Sequence, residues 1–175
     1  MRILGVALLT LLSFSASAES AWRAGVGVGR ADAQEDDVGF DASSTSWEIF
    51  GGWEMNQYLA FEAGYIYGGK PKDDIAGATV EMETHAIQAS VLGSLWVNDA
   101  FGVFGRLGML SWKADAEGRV NGQVLARSSD DGTDAFYGVG IATVLDGALL
   151  RAEYRIADFG DIDYSQYSIN VAWRF

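Results

Sequence analysis

The side chains with most chemistry to offer fall on one side of a repeating pattern. Glu48, Glu62, Arg106, Arg151, Glu153, Arg155 and Arg174 each occupy the polar parity of a segment that alternates apolar and polar residues. A period of two marks a β-strand with one face of each kind. Carboxylates and guanidiniums turned to one enclosed side have two readings. They pair with one another, because a charge buried alone is costly, or they line a narrow ion path. Catalysis has less to work with. The chain has one histidine, His85, and no cysteine. A hydrolase of the serine type needs a hydroxyl activated by an adjacent histidine, but Ser90 lies on the opposite parity from His85. Metal centres need clustered His, Cys or carboxylates, which leaves the loop acids for weak Ca²⁺ or Mg²⁺ contact. Gly25, Gly27 and Gly29 are spaced by two within a strand, where they save space rather than cradle phosphate. The expectation is therefore no catalytic residue, no cofactor and no metal centre.

Eight alternating segments carry these residues. They run over 20–30, 46–53, 58–68, 84–95, 100–112, 135–144, 148–156 and 167–175. In the last, Tyr167, Ile169, Val171, Trp173 and Phe175 point one way and Ser168, Asn170, Ala172 and Arg174 the other. The apolar set elsewhere includes Trp22, Val26, Val28, Trp47, Ile49, Phe61, Ile87, Val91, Leu107, Met109, Tyr137, Val139 and Tyr154. Arg23, Glu62, Gln88, Ser90, Leu92, Phe104 and Arg106 share the opposite side.

The N-terminus places these strands at a membrane. Arg2 gives a short positive start, Ile3 to Phe14 an apolar run, and Ala16-Ser17-Ala18 a small-residue cleavage site before Glu19. That is an export signal over 1–18, too short to span a bilayer as a helix. The expected mature domain is 19–175, and no later run is long and apolar enough for a membrane helix. An exported fold without cysteine holds together without disulfides. Proline occurs once, at Pro71, outside every alternating run, as a continuous closed sheet requires. The net charge of −12 argues against nucleic acid. Most acids sit at 32–41, 73–83, 115–134 and 158–163, which read as solvated loops.

Connections alternate in length. Short ones fall near 54–57, 97–99 and at Asp146-Gly147, a favoured hairpin dipeptide. Long ones are expected at about 31–45, 69–83, 113–134 and 157–164. Short turns on one rim and long loops on the other are the outer-membrane barrel plan, with both termini periplasmic. Closure removes the free sheet edges that lipid cannot satisfy. A soluble barrel with the same strands would have to bury Trp, Tyr and Phe from every strand in a space too small for them. The aromatic set Trp22, Trp47, Trp53, Tyr58, Tyr67, Tyr137, Tyr167 and Trp173 sits near strand ends, where amphipathic rings suit the headgroup region. The fold class is all-β, an eight-stranded antiparallel up-and-down transmembrane β-barrel.

Four segments in order, GGWEMNQYLAFEAGY at 51–65, FGRLGMLSWKAD at 104–115, DGTDAFYGVG at 131–140 and LRAEY at 150–154, resemble the OmpA-like transmembrane domain. The resemblance spans nearly all of 19–175. It implies an inward acid at Glu62, an inward arginine at Arg106, and the strand-seven motif at Arg151, Glu153 and Tyr154. Two features depart from the family. Leu92 stands where some members carry an inward basic residue, and Gly138, Gly140 and Ala142 stand where an inward acid is found. A thinner charge network is the expectation. Full-length members continue into a peptidoglycan-binding domain, whereas this chain ends at Phe175, so no cell-wall tether is expected on it. The resemblance also implies that the terminal strand ending in Phe175 is read by the barrel insertion machinery.

The reading that follows is an outer-membrane barrel with a membrane-structural role and at most a small, largely occluded pore, and not an enzyme. Its partners would be outer-membrane lipids and lipopolysaccharide, with weak divalent cations at the acidic loops and no nucleic acid. A surface adhesin or receptor acting through those loops is the alternative, and a lipid A-modifying enzyme a third.

Overall fold

The computed structural model describes residues 22–35, 40–75, 78–120, 123–159 and 162–175. The export signal expected at 1–18 and Glu19 lie outside them, as does the tip of each long connection. The strands are β1 (Trp22–Glu35), β2 (Phe40–Glu54), β3 (Leu59–Gly69), β4 (Lys72–Ile75), β5 (Ala78–Trp96), β6 (Phe101–Val120), β7 (Gln123–Leu145), β8 (Ala148–Phe159) and β9 (Ile162–Arg174). Their order is β3-β2-β1-β9-β8-β7-β6-β5, and β5 returns to pair with β3. Eight antiparallel strands thus close into a barrel. The short β4 continues the β3 ladder along the start of β5 beyond a bulge between Tyr67 and Gly69, in the same wall of the barrel.

The alternation sorts side chains as its period demands. Trp22, Val28, Ile49, Ile87, Leu107, Val139 and Ile169 are exposed on the outer surface, and the partners between them are buried in the lumen. The eight-stranded closure matches the expected fold class. The aromatic residues form two rings. Trp22 lies opposite Trp53, and Trp47 opposite Tyr67; Tyr154 and Tyr167 stack across the sheet with centroids 4.5 Å apart. At the short rim, the Asn56 side-chain oxygen accepts from the Tyr58 and Leu59 amides at 2.8 and 2.9 Å. Asn98 does the same for Ala100 and Phe101 at 2.9 and 2.8 Å. Asp146 and Gly147 take φ of 49° and 80°, the left-handed pair that a two-residue hairpin needs. The Phe175 amide donates to the Trp22 carbonyl at 3.0 Å, so the last residue completes the first strand's ladder.

The strands run further than their alternation suggested. The long connections expected at 31–45, 113–134 and 157–164 are for the most part strand, and 69–83 holds β4 and the start of β5. The reason lies in the phase of the apolar residues. On β1 the outward row passes from Val26 and Val28 to Arg30 and Asp32, while the inward row passes from glycines to buried Ala31 and Ala33. On β6, Trp112 and Ala114 turn inward and Lys113 outward. On β5, Met82 and Thr84 are buried between half-exposed Glu81, Glu83 and His85. Backbone alternation continues unbroken, but apolar character moves from the outer face to the inner one. That switch marks the edge of the lipid band. Beyond it the sheet stands in water and is filled by Ala31, Ala33, Ala42, Ile66, Met82, Leu110, Trp112, Phe136, Ala157 and Tyr164.

Candidate functional site: a buried ion ladder in the lumen

Within the lipid band the lumen holds a continuous chain of charges. Glu62, on β3, lies at its centre. Its Oε1 meets Arg23 Nη2 and Arg151 Nη1, each at 2.7 Å, and its Oε2 meets Arg106 Nη2 at 2.8 Å. Arg106 extends through Nε to Glu153 Oε1 at 2.9 Å. Glu153 meets Arg155 Nη2 at 3.3 Å, and Arg155 reaches Glu48 Oε2 at 3.3 Å. Gln88 adds a donor to Glu48 at 3.2 Å. Towards the short rim, Arg23 Nη1 meets Glu54 Oε1 at 3.3 Å, and Glu54 pairs with Arg174 at the mouth. Glu48, Glu62, Arg106, Arg151, Glu153 and Arg155 are all buried and belong to one network. Arg174, which shares their parity, is exposed at the rim instead.

Arg23 and Glu54 are the members that the charge pattern of the sequence left out. Arg23 was visible as the one charge on the inward row of its strand, but it had no apparent partner. Glu54 falls where the alternation ends at a turn.

The network is denser than the two departures suggested. In the strand-six row where the resemblance implies an acid, Gly138 leaves room, since a Cβ there would lie 2.7 Å from Glu153 Oε1. The missing acid is thus space for a carboxylate from the neighbouring strand. Gly140 likewise admits the Phe104 ring, and Gly25 the Phe50 ring, each of which a Cβ would overlap. Those rings complete the cation environment. The Arg151 guanidinium lies 4.6 Å from the Phe50 centroid and 5.6 Å from that of Phe104, and Arg155 lies 5.1 Å from Phe136. Leu92, in place of a basic residue, packs with Ala60, Phe104 and Ala142.

Open space lies at the ends of this ladder. A vestibule of about 500 Å³ at the short rim is lined by Arg23, Glu54, Tyr58, Trp96, Asn98 and Arg174, among others. In the water-exposed half, a cavity between Ala33, Met82, Trp112 and Tyr164 measures only about 10 Å³.

His85 sits on the outer face, its Nδ1 2.5 Å from Tyr65 Oη and its Nε2 3.4 Å from Glu83. Ser90 faces the lumen, where its Oγ accepts from Arg106 at 3.2 Å. The two are on opposite sides of the wall. Beyond the lipid band the outer surface carries ion pairs of its own. Lys70–Glu83 and Lys72–Glu81 close to 2.8 Å, as does Arg119–Glu117. The hydrogen bond from Lys70 holds the Glu83 carboxyl below its ordinary value and raises the Lys70 ammonium. The bond from Lys72 lowers Glu81 in the same way.

The model of the outer membrane protein beta-barrel domain family matches residues 4–175. The chain belongs to this family. As a family barrel it is an outer-membrane protein, and its relatives agree. Outer membrane protein A of Salmonella typhi is 27% identical over 92% of this chain and 50% of its own length. Outer membrane protein P5 of Haemophilus influenzae is 32% identical over 58% of this chain and 32% of its own. The chain therefore spans half the length, or less, of the curated relatives it matches. Among solved structures, Neisserial surface protein A superposes with a TM-score of 0.73 at 17% identity, covering 91% of this chain and all of that one. Ail, the attachment invasion locus protein of Yersinia pestis, gives 0.62 at 16% identity over 90% and 100%. These last two likenesses are of fold.

Proposed function

We propose that this OmpA-like barrel is a membrane-structural protein of the outer membrane whose lumen is closed to steady ion flow. One observation carries the reading: the buried ladder from Glu48 through Glu153 and Glu62 to Arg23 crosses the lumen within the lipid band. Three buried carboxylates and four buried guanidiniums contact one another directly, and the half-buried Glu54 brings the acids to four. An ion crossing this region must displace a paired charge. Beyond it, the cavity between Ala33, Met82, Trp112 and Tyr164 measures only about 10 Å³. Planar-bilayer recording of the refolded protein tests the reading: baseline current with brief openings is expected, and a large steady conductance would refute it.

In this reading residues 1–18 are removed on export, both ends of 19–175 face the periplasm, and the strand ending at Phe175 engages the insertion machinery. Outer-membrane lipids and lipopolysaccharide surround the apolar band, and the barrel performs no catalysis. A cysteine at Leu125, exposed on the long rim, should react with an impermeant reagent on intact cells, and one at Asn98 should not. The reverse would invert the topology. A second reading, a surface receptor, is supported by an open strand edge on the long rim.

A further inference from the structure

Beyond the lipid band β5, β6 and β7 stand further out than their neighbours. β7 pairs with β8 only from Phe136, opposite Ala157, to Leu145, opposite Ala148. β6 accompanies β7 much further, out to Val120 opposite Gln123. From Val124 to Asp134, β7 has one strand partner among the described residues, and its other edge is open. The direction of its backbone groups follows from the turns. The Val144 amide donates to the Ala100 carbonyl on the β6 side, so even-numbered residues of β7 bond to β6, and alternation turns odd-numbered ones to the other side. Register is continuous from Phe136 down to Ala126. Arg127, Ser129, Asp131 and Thr133 therefore present N–H and C=O groups to the open edge, whereas Ala135 flanks the Phe136–Ala157 pair and bonds to β8. The Asp131 amide donates to the Asp130 carboxylate at 3.0 Å, the local substitute that an edge amide finds when no strand is there.

An open edge is a template for another strand, and its side chains select which. Asp130 and Asp131 are exposed. The cation of this stretch, Arg127, is taken by Glu117 at 3.1 Å. A second copy of this chain in antiparallel register would set these acids against themselves, and like charges directly opposite destabilise a pair. Cations fit.

We propose that the open edge of β7, from Arg127 to Thr133, receives an extended lysine- or arginine-rich segment of a partner protein as an added β-strand. The incoming backbone bonds to the four odd-numbered residues, and its cations meet Asp130 on one face of the sheet and Asp131 on the other, with the Asp130 carboxylate released from the Asp131 amide. This gives the receptor reading its site and its class of partner, and it is independent of whether the lumen conducts.

The test uses the protein in phospholipid nanodiscs, where both rims are accessible, so an inverted topology leaves the result unchanged. The probe is a short peptide of threonine and valine with two adjacent lysines at its centre, so that one cation falls on each face of the added strand. It should bind and slow hydrogen exchange at the Ser129, Asp131 and Thr133 amides. The same peptide N-methylated along one edge keeps its charge and should bind at least tenfold more weakly. Ser129→Pro and Thr133→Pro each remove an edge donor while sparing the ladder to β6, and should weaken binding similarly with barrel folding intact. Asp130→Lys with Asp131→Lys should transfer the preference to a glutamate-bearing peptide. No binding by the lysine peptide, or equal binding by its N-methylated form to the unaltered protein, would overturn strand addition.

Discussion

Glu62→Gln removes the one carboxylate on which three arginines converge. The consequences for the three differ. Arg23 keeps Glu54 at 3.3 Å, and Arg106 keeps Glu153 at 2.9 Å. For Arg151 the structure shows one ion pair, to Glu62 at 2.7 Å, and otherwise the faces of Phe50 and Phe104. A cation over a ring recovers about 0.5–2 kcal/mol, whereas leaving a buried charge without its partner costs about 3–5 kcal/mol. Glu62→Gln should therefore destabilise the barrel by roughly 3 kcal/mol, allowing for that partial recovery. Arg151→Gln should cost less, because Glu62 retains two guanidiniums. The double variant should be less destabilised than the sum of the two, with a coupling in the range of about 1–3 kcal/mol. Urea unfolding from phospholipid vesicles, extrapolated linearly to water, gives each value. Equal losses for the two single variants, or additive losses in the double, would refute the placement of Glu62 as the shared acceptor.

Three further outcomes check the two-zone architecture. Ile169→Arg, on the lipid face of β9, should cost about 2–4 kcal/mol, whereas Ser165→Arg on the same face beyond the band should cost close to nothing; equal urea midpoints would put the membrane edge elsewhere. Leu110, 1% exposed in the water-side core, should cost about 2–5 kcal/mol when replaced by Ala, and a loss under 1 kcal/mol would mean that this half is not closely packed. Because Glu83 and Glu81 have depressed carboxyl values, their contribution is fully present above the ordinary 4.5 and is lost as pH falls through the lower folded value. Hydrogen-exchange protection at the start of β5, relative to the intrinsic rate at each pH, should fall on acidification, and Glu81→Gln with Glu83→Gln should abolish that pH dependence.

The closed barrel, the inward row and most of the ladder could be read from alternation alone, since a strand buried on one face repeats every two residues. Which carboxylate met which guanidinium could not. Parity names a side, but register and side-chain reach decide that Glu62 gathers Arg23, Arg106 and Arg151. The empty place at Gly138 misled for the same reason: the acid that fills it comes from another strand. Strand length was also hidden. A segment such as Arg30-Ala31-Asp32-Ala33 still alternates, but with the small apolar residue inward, and it reads as a polar loop when the outward face is expected to stay apolar.

That change of phase has one physical origin. In lipid, turning an apolar side chain inward brings no hydrophobic gain, because the surroundings are already apolar, while a polar side chain turned outward would lack partners. Glu48, Glu62, Glu153 and their arginines are therefore held by mutual charge and hydrogen bonding behind an apolar wall. Past the aromatic ring at Trp47, Tyr67 and Tyr167 the surroundings are water, and burial of apolar area becomes the driving force. There Leu110, Trp112, Phe136 and Tyr164 turn inward, and Lys70, Lys72 and Glu83 lie on the surface. One continuous sheet thus carries an ionic interior in lipid and an apolar interior in water. The open edge of β7 lies wholly in the second zone, where water satisfies its unpaired backbone groups until another strand replaces it.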